Sequence, residues 1–218
     1  MAIIKTLLAD DHPIFLEGLK VFLSRFPDIQ VEATAFDGDT VLQLLRQQCF
    51  DLLILDIDLP AKNGLEVLSA IQTMDDRPSV LVLSMYSEDE IVEVAIRRGA
   101  DGYLVKDTQL KEVLLAVEEV SNGGFYLDNR LQIDMPSFSL LQAEPDVSAQ
   151  LRKRYALTKR EAEVLSLIAM TRTNKQIGRL LNISDQTVGV HRKNILRKFG
   201  VHNTANLIRK VFEFERMN

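Results

Sequence analysis

Apolar residues follow two rhythms along this chain. Up to about residue 121, strand-like runs near 3–9, 30–35, 51–55, 79–84 and 102–105 alternate with segments near 13–25, 38–48, 64–74, 88–98 and 109–121, where apolar residues recur every three to four positions. Short runs without polar alternation predict strands buried on both faces, the signature of a parallel sheet. The clearest is Leu52-Leu53-Ile54-Leu55, which runs straight into Asp56 and stops at Pro60. Five strand–helix repeats with short connections predict a doubly wound, five-stranded parallel α/β sheet with right-handed crossovers. Gly64, Gly99 and Gly102 fall at the expected turns, and Asn122-Gly123-Gly124 closes the last helix.

Residues 125–150 carry Pro136, Pro145 and several Ser and Gln without a period, and read as a linker between a domain at 1–124 and a second at 151–218. From 157 the pattern is helical throughout. Thr158-Lys159-Arg160-Glu161 is a capping box, in which the Thr hydroxyl and the Glu carboxylate each satisfy an orphan amide, and Thr173-Asn174-Lys175-Gln176 repeats it. A break at Leu181-Asn182-Ile183 precedes a fresh N-cap, Ser184, with Asp185 in the first turn, and Asn203 is placed to cap a last helix through Phe212. Four short helices with a tight turn between the second and third predict a small all-α helix-turn-helix domain.

A length of 218 residues fits two domains. The net charge of -5 conceals a division: residues 151–218 hold 15 Lys and Arg against 5 Asp and Glu, a net of +10, and residues 1–150 carry a net of -15. The basic part is the electrostatic footprint of a polyanion binder. A single cysteine, Cys49, excludes a disulfide framework and is expected to be a buried small apolar residue at a helix end. No run reaches the roughly 20 apolar residues of a membrane span, so a cytoplasmic protein without membrane contact is expected.

In open parallel sheets ligands bind beyond the carboxyl ends of the strands. There this chain places Asp56, the pair Asp10-Asp11 after the first run, Ser84 after the fourth and Lys106 after the fifth. Acids gathered at one edge call for a cation, and a hard divalent ion with oxygen ligands, Mg²⁺, is the natural one. Acids, metal, hydroxyl and ammonium together suit phosphoryl transfer onto a carboxylate, with Asp56 as nucleophile and Lys106 and Ser84 on the phosphoryl oxygens. Asp56-Ile57-Asp58 also admits a second reading, the nucleophile and acid pair of a haloacid dehalogenase-type phosphatase. In that group the pair follows the first strand with Thr or Val commonly two residues on, whereas here it follows the third and meets Pro60. A third reading is a constitutive DNA binder with a vestigial first domain.

Asp10-Asp11, Asp56, Ser84 and Lys106, with Tyr103 three residues before the lysine, resemble the flavodoxin-like receiver domain of two-component response regulators across residues 3 to about 121. The resemblance implies phosphorylation of Asp56 by a sensor histidine kinase and Mg²⁺ held by Asp11, Asp56 and the backbone carbonyl of Asp58, with Asp10 acting through water. It implies Ser84 and Tyr103 as a switch, Ser84 moving to the phosphoryl group and Tyr103 turning inward behind it. It also implies a regulator rather than an enzyme, with at most slow self-dephosphorylation. Three departures stand out: Met85 where many receivers have a small residue, Asp107 where many have Pro, and the additional acid Asp58.

In the second domain Val188, Ile195, Leu196 and Phe199 share one helix face, the expected core stripe. Gln186, Val190, Lys193 and Arg197 form an exposed basic stripe of the kind a helix entering the major groove needs. The segments LTKREAEVLSLIA, TNKQIG, LLNIS and TVGVHRKNILRKFGV resemble the LuxR-type helix-turn-helix, and with the receiver they resemble NarL/FixJ-type regulators. That resemblance implies base contacts by Val190 and Lys193, and phosphate contacts by Thr187, Arg192 and Arg197, with Thr173 and Lys175 joining at the scaffold helix. It further implies double-stranded DNA as a partner and a homodimer on activation, two recognition helices meeting half-sites about one helical turn apart. Opposite charges would favour the acidic receiver lying on the basic domain beforehand. Gly189 stands where the family usually has Lys, and Thr171 where it has Gly.

Overall fold

The computed structural model describes residues 3–72, 74, 76–131, 145–169, 172–201 and 204–216. Six parallel strands form one sheet in the order β2-β1-β3-β4-β5-β6, from β1 (Ile4–Ala9), β2 (Ile29–Ala35), β3 (Leu52–Leu55), β4 (Ser79–Ser84), β5 (Gly102–Val105) and β6 (Tyr126–Leu127). Helices α1 (Pro13–Leu23), α2 (Gly38–Gln47), α3 (Gly64–Ile71), α4 (Asp89–Arg97) and α5 (Leu110–Ser121) follow the first five strands in turn. Two separate cores show the double winding: Leu7, Leu53, Leu55, Val80 and Val82 pack with α2, α3 and α4, while Leu8, Leu52, Ile54, Leu81 and Leu83 pack with α1 and α5. Successive strand side chains point to opposite faces, so covering both faces requires apolar runs such as Leu52–Leu55, while the edge strand β2 leaves Gln30 and Glu32 exposed.

The sheet has six strands where five were expected. The sixth is two residues long, too short for any period to show. It forms because Asp128 extends the ladder: its amide donates to the Tyr103 carbonyl at 2.9 Å, and its Oδ2 accepts from the Val105 amide at 3.2 Å. A side-chain carboxylate thus does what the next backbone carbonyl would do.

Helix α6 (Pro145–Arg154) is followed by α7 (Lys159–Ala169), α8 (Asn174–Leu181), α9 (Asp185–Phe199) and α10 (Thr204–Arg216). Together they have a core of their own: Leu151, Val164, Leu165, Ile168, Ile177, Val188, Ile195, Phe199, Leu207 and Val211. Both capping boxes are present, Thr158 with Glu161 and Thr173 with Gln176, and Ser184 caps α9 through the Thr187 amide. Between α8 and α9, Asn182 adopts the left-handed conformation (φ 54°). Close approach there also needs Gly178, where a Cβ would lie 2.7 Å from the Ile183 carbonyl oxygen. Asn203 and Thr171 lie outside the described residues. Cys49 is exposed rather than buried: α2 ends at Gln47, and the chain turns outward before Phe50 re-enters the core. No described helix is long and apolar enough to cross a membrane.

Candidate phosphoacceptor site and nucleic-acid interface

The ends of β1, β3 and β5 meet at one edge. Asp10 and Asp56 are almost fully buried, at 3% and 2% exposure, a placement that charged groups tolerate only when paired. The pairing comes from Lys106, whose Nζ lies 2.6 Å from Asp10 Oδ2 and 2.7 Å from Asp56 Oδ2. Burial alone would depress the lysine, but the hydrogen bonds to both carboxylates prevail and hold its ammonium above the ordinary value. The Phe15 ring, 4.9 Å from the ammonium, adds a cation–π contact. Asp56 Oδ1 is buried without a hydrogen-bond partner. Asp10 Oδ1 accepts the His12 amide at 2.9 Å, and His12 Nδ1 lies 2.6 Å from Asp11 Oδ1.

Carboxylate oxygens of Asp10, Asp11 and Asp56 and a nitrogen of His12 lie within 4.8 Å of one another. An oxygen-rich set with one orphaned buried carboxylate oxygen fits a hard divalent cation such as Mg²⁺. Asp58 is exposed on the loop after β3, with its side chain outside this cluster. That loop closes tightly: a Cβ at Gly64 would sit 2.2 Å from the Asp56 carbonyl oxygen, so only glycine lets α3 start against the end of β3.

Ser84 is buried at the tip of β4, and its carbonyl accepts the Lys106 amide at 2.7 Å. Tyr103 is already inward, with no exposed surface and its hydroxyl donating to the Tyr86 carbonyl at 2.9 Å; burial pushes the phenol well up. Met85 is 68% exposed, so it projects into solvent beside the site. At Asp107 the peptide is trans, and the carboxylate pairs with Arg130, which also holds Asp128 through Nε at 2.9 Å and Nη2 at 2.7 Å. Arg130 therefore ties the corner after Lys106 to the chain leaving β6. Burial would raise Asp128, yet the Arg130 hydrogen bonds hold it below the usual carboxylate range.

On the second domain Lys175, Thr187, Val190, Lys193 and Arg197 are exposed, and Thr173 is half-buried at the start of α8. Val190 keeps 59% of its surface. Arg192 requires correction as a phosphate contact. It is 1% exposed, its Nη2 donates to the Arg172 carbonyl at 2.8 Å, and its Nη1 reaches Thr204 Oγ1 at 3.4 Å. Burial brings its guanidinium down to about 10, an effect that the Glu119 charge opposes. It is a structural tie between α9, α10 and the start of α8.

Among the described residues, the sheet domain lies against this domain at two places. Helix α10 runs beside α4. The end of α5 meets α8 and α9: Glu119 Oε1 accepts the Asn174 amide at 2.7 Å, the Asn122 carbonyl accepts Asn174 Nδ2 at 3.1 Å, and the same carbonyl covers Gly189. A cleft of about 340 Å³ opens beside them, lined by Glu118, Tyr126, Lys175 and Arg179 among others. His12, Phe15, Arg130 and Glu119 carry much of this geometry and were not foreseen from the sequence. Only His12 left a trace there, in the His-Pro step that opens α1.

The model of the response regulator receiver domain matches residues 6–118, and that of the luxR family of bacterial regulatory proteins matches residues 155–211. The transcriptional regulatory protein MctR of Rhizobium johnstonii is 34% identical, over 94% of this chain and 92% of the relative. The nitrate/nitrite response regulator NarL of Escherichia coli is 36% identical, over 88% and 87%, and the oxygen regulatory protein NreC of Staphylococcus aureus is 31% identical, over 96% and 100%. Among solved structures, a LuxR-family two-component response regulator from Aurantimonas superimposes with TM-score 0.57 at 26% identity, covering 66% of this chain and all of that one. The RcsB response regulator of Salmonella typhimurium shares the fold over 97% of this chain and 99% of its own, at TM-score 0.56 and 23% identity.

Proposed function

The chain belongs to the NarL/FixJ-type response regulators, a receiver followed by a LuxR-type DNA-binding domain, and from that premise we propose that Asp56 is the phosphoacceptor through which a sensor histidine kinase controls promoter binding. One observation carries the assignment: Asp56 is buried with Oδ2 held by Lys106 and Oδ1 unpaired. A carboxylate gripped by one oxygen and free at the other is oriented for in-line attack. In the transfer an Asp56 oxygen bonds to phosphorus, the P–N bond of the kinase phosphohistidine breaks, and the imidazole nitrogen keeps the electron pair. Lys106 and Ser84, at the tips of the two following strands, are placed to hold the phosphoryl oxygens. Asp10, Asp11, Asp56 and the Asp58 carbonyl would hold Mg²⁺, which supplies charge neutralisation on the transferring group when bound.

The output is DNA binding. Val190 and Lys193 face base edges, while Thr173, Lys175, Thr187 and Arg197 face phosphates. Phosphorylation promotes a homodimer that spans two half-sites. Acetyl phosphate with Mg²⁺ is expected to make the protein about 80 Da heavier at Asp56, and Asp56→Asn to abolish the gain. A mass unchanged under those conditions removes the reading.

A further inference from the structure

Lys106 reaches two buried carboxylates from a turn, where the backbone is freer than in a strand. Val105, Lys106, Asp107 and Thr108 form that turn, closed by the Thr108 amide on the Val105 carbonyl at 3.0 Å. Towards β4 it is pinned to the sheet, the Lys106 amide donating to the Ser84 carbonyl at 2.7 Å. On its other flank lies the edge strand β6, only two residues long. The tolerance is small. Lys106 Nζ sits 2.6 Å from Asp10 and 2.7 Å from Asp56, and a shift of about 1 Å is enough to lose either hydrogen bond.

Two carboxylates and a guanidinium brace this open flank. Asp128 Oδ2 accepts the Val105 amide at 3.2 Å, immediately before Lys106, and Asp107, immediately after it, pairs with Arg130 Nη1. Arg130 also grips both oxygens of Asp128, through Nε at 2.9 Å and Nη2 at 2.7 Å. The planar guanidinium presents its donors in fixed directions, so it holds the two carboxylates relative to each other. The brace has its own footing. The Arg130 amide donates to Asp128 Oδ1 at 3.0 Å, the Leu131 amide to the Asp128 carbonyl at 3.0 Å, and Leu131 packs against the core on the side of α2, α3 and α4. Asp128 and Arg130 lie between the two family matches, 6–118 and 155–211, and outside both.

We propose that Arg130 is a positioning residue for phosphoryl transfer to Asp56: by bridging Asp128 and Asp107 it fixes the turn on both sides of Lys106 and keeps the ammonium aimed at the site. This rests on Asp56 as the phosphoacceptor, as read above. Arg130 acts through Lys106 and not on the reacting atoms. The segment that leaves the sheet toward the second domain thus completes the phosphorylation site from outside the strand ends.

The test uses the full-length protein with Arg130→Ala and Asp107→Ala, which cut the same bridge from opposite ends. The first removes a positive charge and the second a negative one, so a field effect on an anionic donor moves their rates in opposite directions. A positional effect moves both the same way. With acetyl phosphate and Mg²⁺, each variant is expected to gain its roughly 80 Da about tenfold more slowly than wild type. Exchange of the Lys106 ammonium hydrogens, followed by heteronuclear NMR without any donor, is expected to quicken about tenfold in both, while the backbone amides of β1 and β3 keep their wild-type exchange. The Asp107 side chain is mostly exposed, so Asp107→Ala decides the matter if Arg130→Ala does not fold. Wild-type phosphorylation rates with wild-type ammonium exchange overturn the proposal. Rates shifted in opposite directions overturn it too, as does quickened exchange throughout β1 and β3, the mark of a general loss of stability. A wild type that never gains the mass overturns the phosphoacceptor reading instead, and the ammonium exchange then still decides whether Arg130 positions Lys106.

Discussion

Arg192 and Lys193 are neighbours in sequence and opposites in the structure. Arg192 falls on the stripe 188, 192, 195, 199, whose other members are Val188, Ile195 and Phe199, all buried to within 1%. That spacing was visible in the sequence. The residue type misled, because an arginine in a basic helix reads as a DNA contact until its helical position is weighed first. Its long stem fills core space while the guanidinium satisfies the Arg172 carbonyl. Arg192→Ala is therefore expected to cost roughly 2–4 kcal/mol by cavity formation and loss of that partner, while leaving the slope of log affinity against log salt unchanged. Lys193→Ala is expected to do the reverse: stability within about 0.5 kcal/mol and a salt slope shallower by roughly 1. Urea unfolding and a salt titration of duplex binding distinguish the two, and a shallower slope for Arg192→Ala would refute the structural role.

Whole elements were legible in the sequence where burial left a pattern longer than one turn or strand. All five runs became strands within a residue or so, because the central strands are covered on both faces and are apolar at nearly every position, while β1 and the edge strand β2 place Lys5, Gln30 and Glu32 in solvent. The strand Tyr126–Leu127 and the helix Pro145–Arg154 were not legible. The first is held by the Asp128 carboxylate and two ladder bonds, and the second has a polar sequence, PDVSAQLRKR, in which Leu151 enters the core. The site acids were readable because strand ends stand out; the groups around Lys106, with Phe15 beside its ammonium and Arg130 on Asp107 at the next corner, come from elements whose own patterns announce only packing or linker. Capping boxes transferred reliably, since each needs only four consecutive residues. One of them carries a pH dependence. Burial would raise Glu161, but the Lys198 ammonium at 2.6 Å and the Thr158 amide at 2.7 Å outweigh it, so its folded value lies below the ordinary 4.5. A depressed carboxyl stabilises the fold above its unfolded value, and that contribution is lost as pH falls from about 4.5 through the folded value. Residues 145–218, whose core is self-contained, are expected to lose about 1–3 kcal/mol of unfolding free energy across this window. Glu161→Gln is expected to start lower and stay flat. Parallel curves for the two proteins would remove the ion pair from the account.

At the scale of the molecule, the division into a -15 part and a +10 part suggests that bulk attraction holds the domains together. The contact is of another kind. At the end of α5 it consists of a 2.7 Å hydrogen bond into an amide, a 3.1 Å bond to Asn174 and a steric fit over Gly189, with α10 packed beside α4 as well, while both signs of charge line the adjoining cleft through Glu118, Asp185, Lys175 and Arg179. Attraction between exposed charges fades once the screening length, about 10 Å at 0.1 M salt, shrinks below their separation. Short hydrogen bonds and backbone packing do not depend on it. DNA binding does, because each neutralised phosphate releases counterions. With Lys175, Lys193 and Arg197 as the cations of one protomer, raising salt from about 0.1 to 0.5 M is expected to weaken duplex binding roughly a hundredfold. Over the same range the radius of gyration of the unphosphorylated chain is expected to stay constant. Charge asymmetry then serves encounter with DNA and its salt dependence, and local chemistry at α5, α8 and α9 holds the domain contact. A radius that grows with salt would instead assign the domain contact to the long-range field.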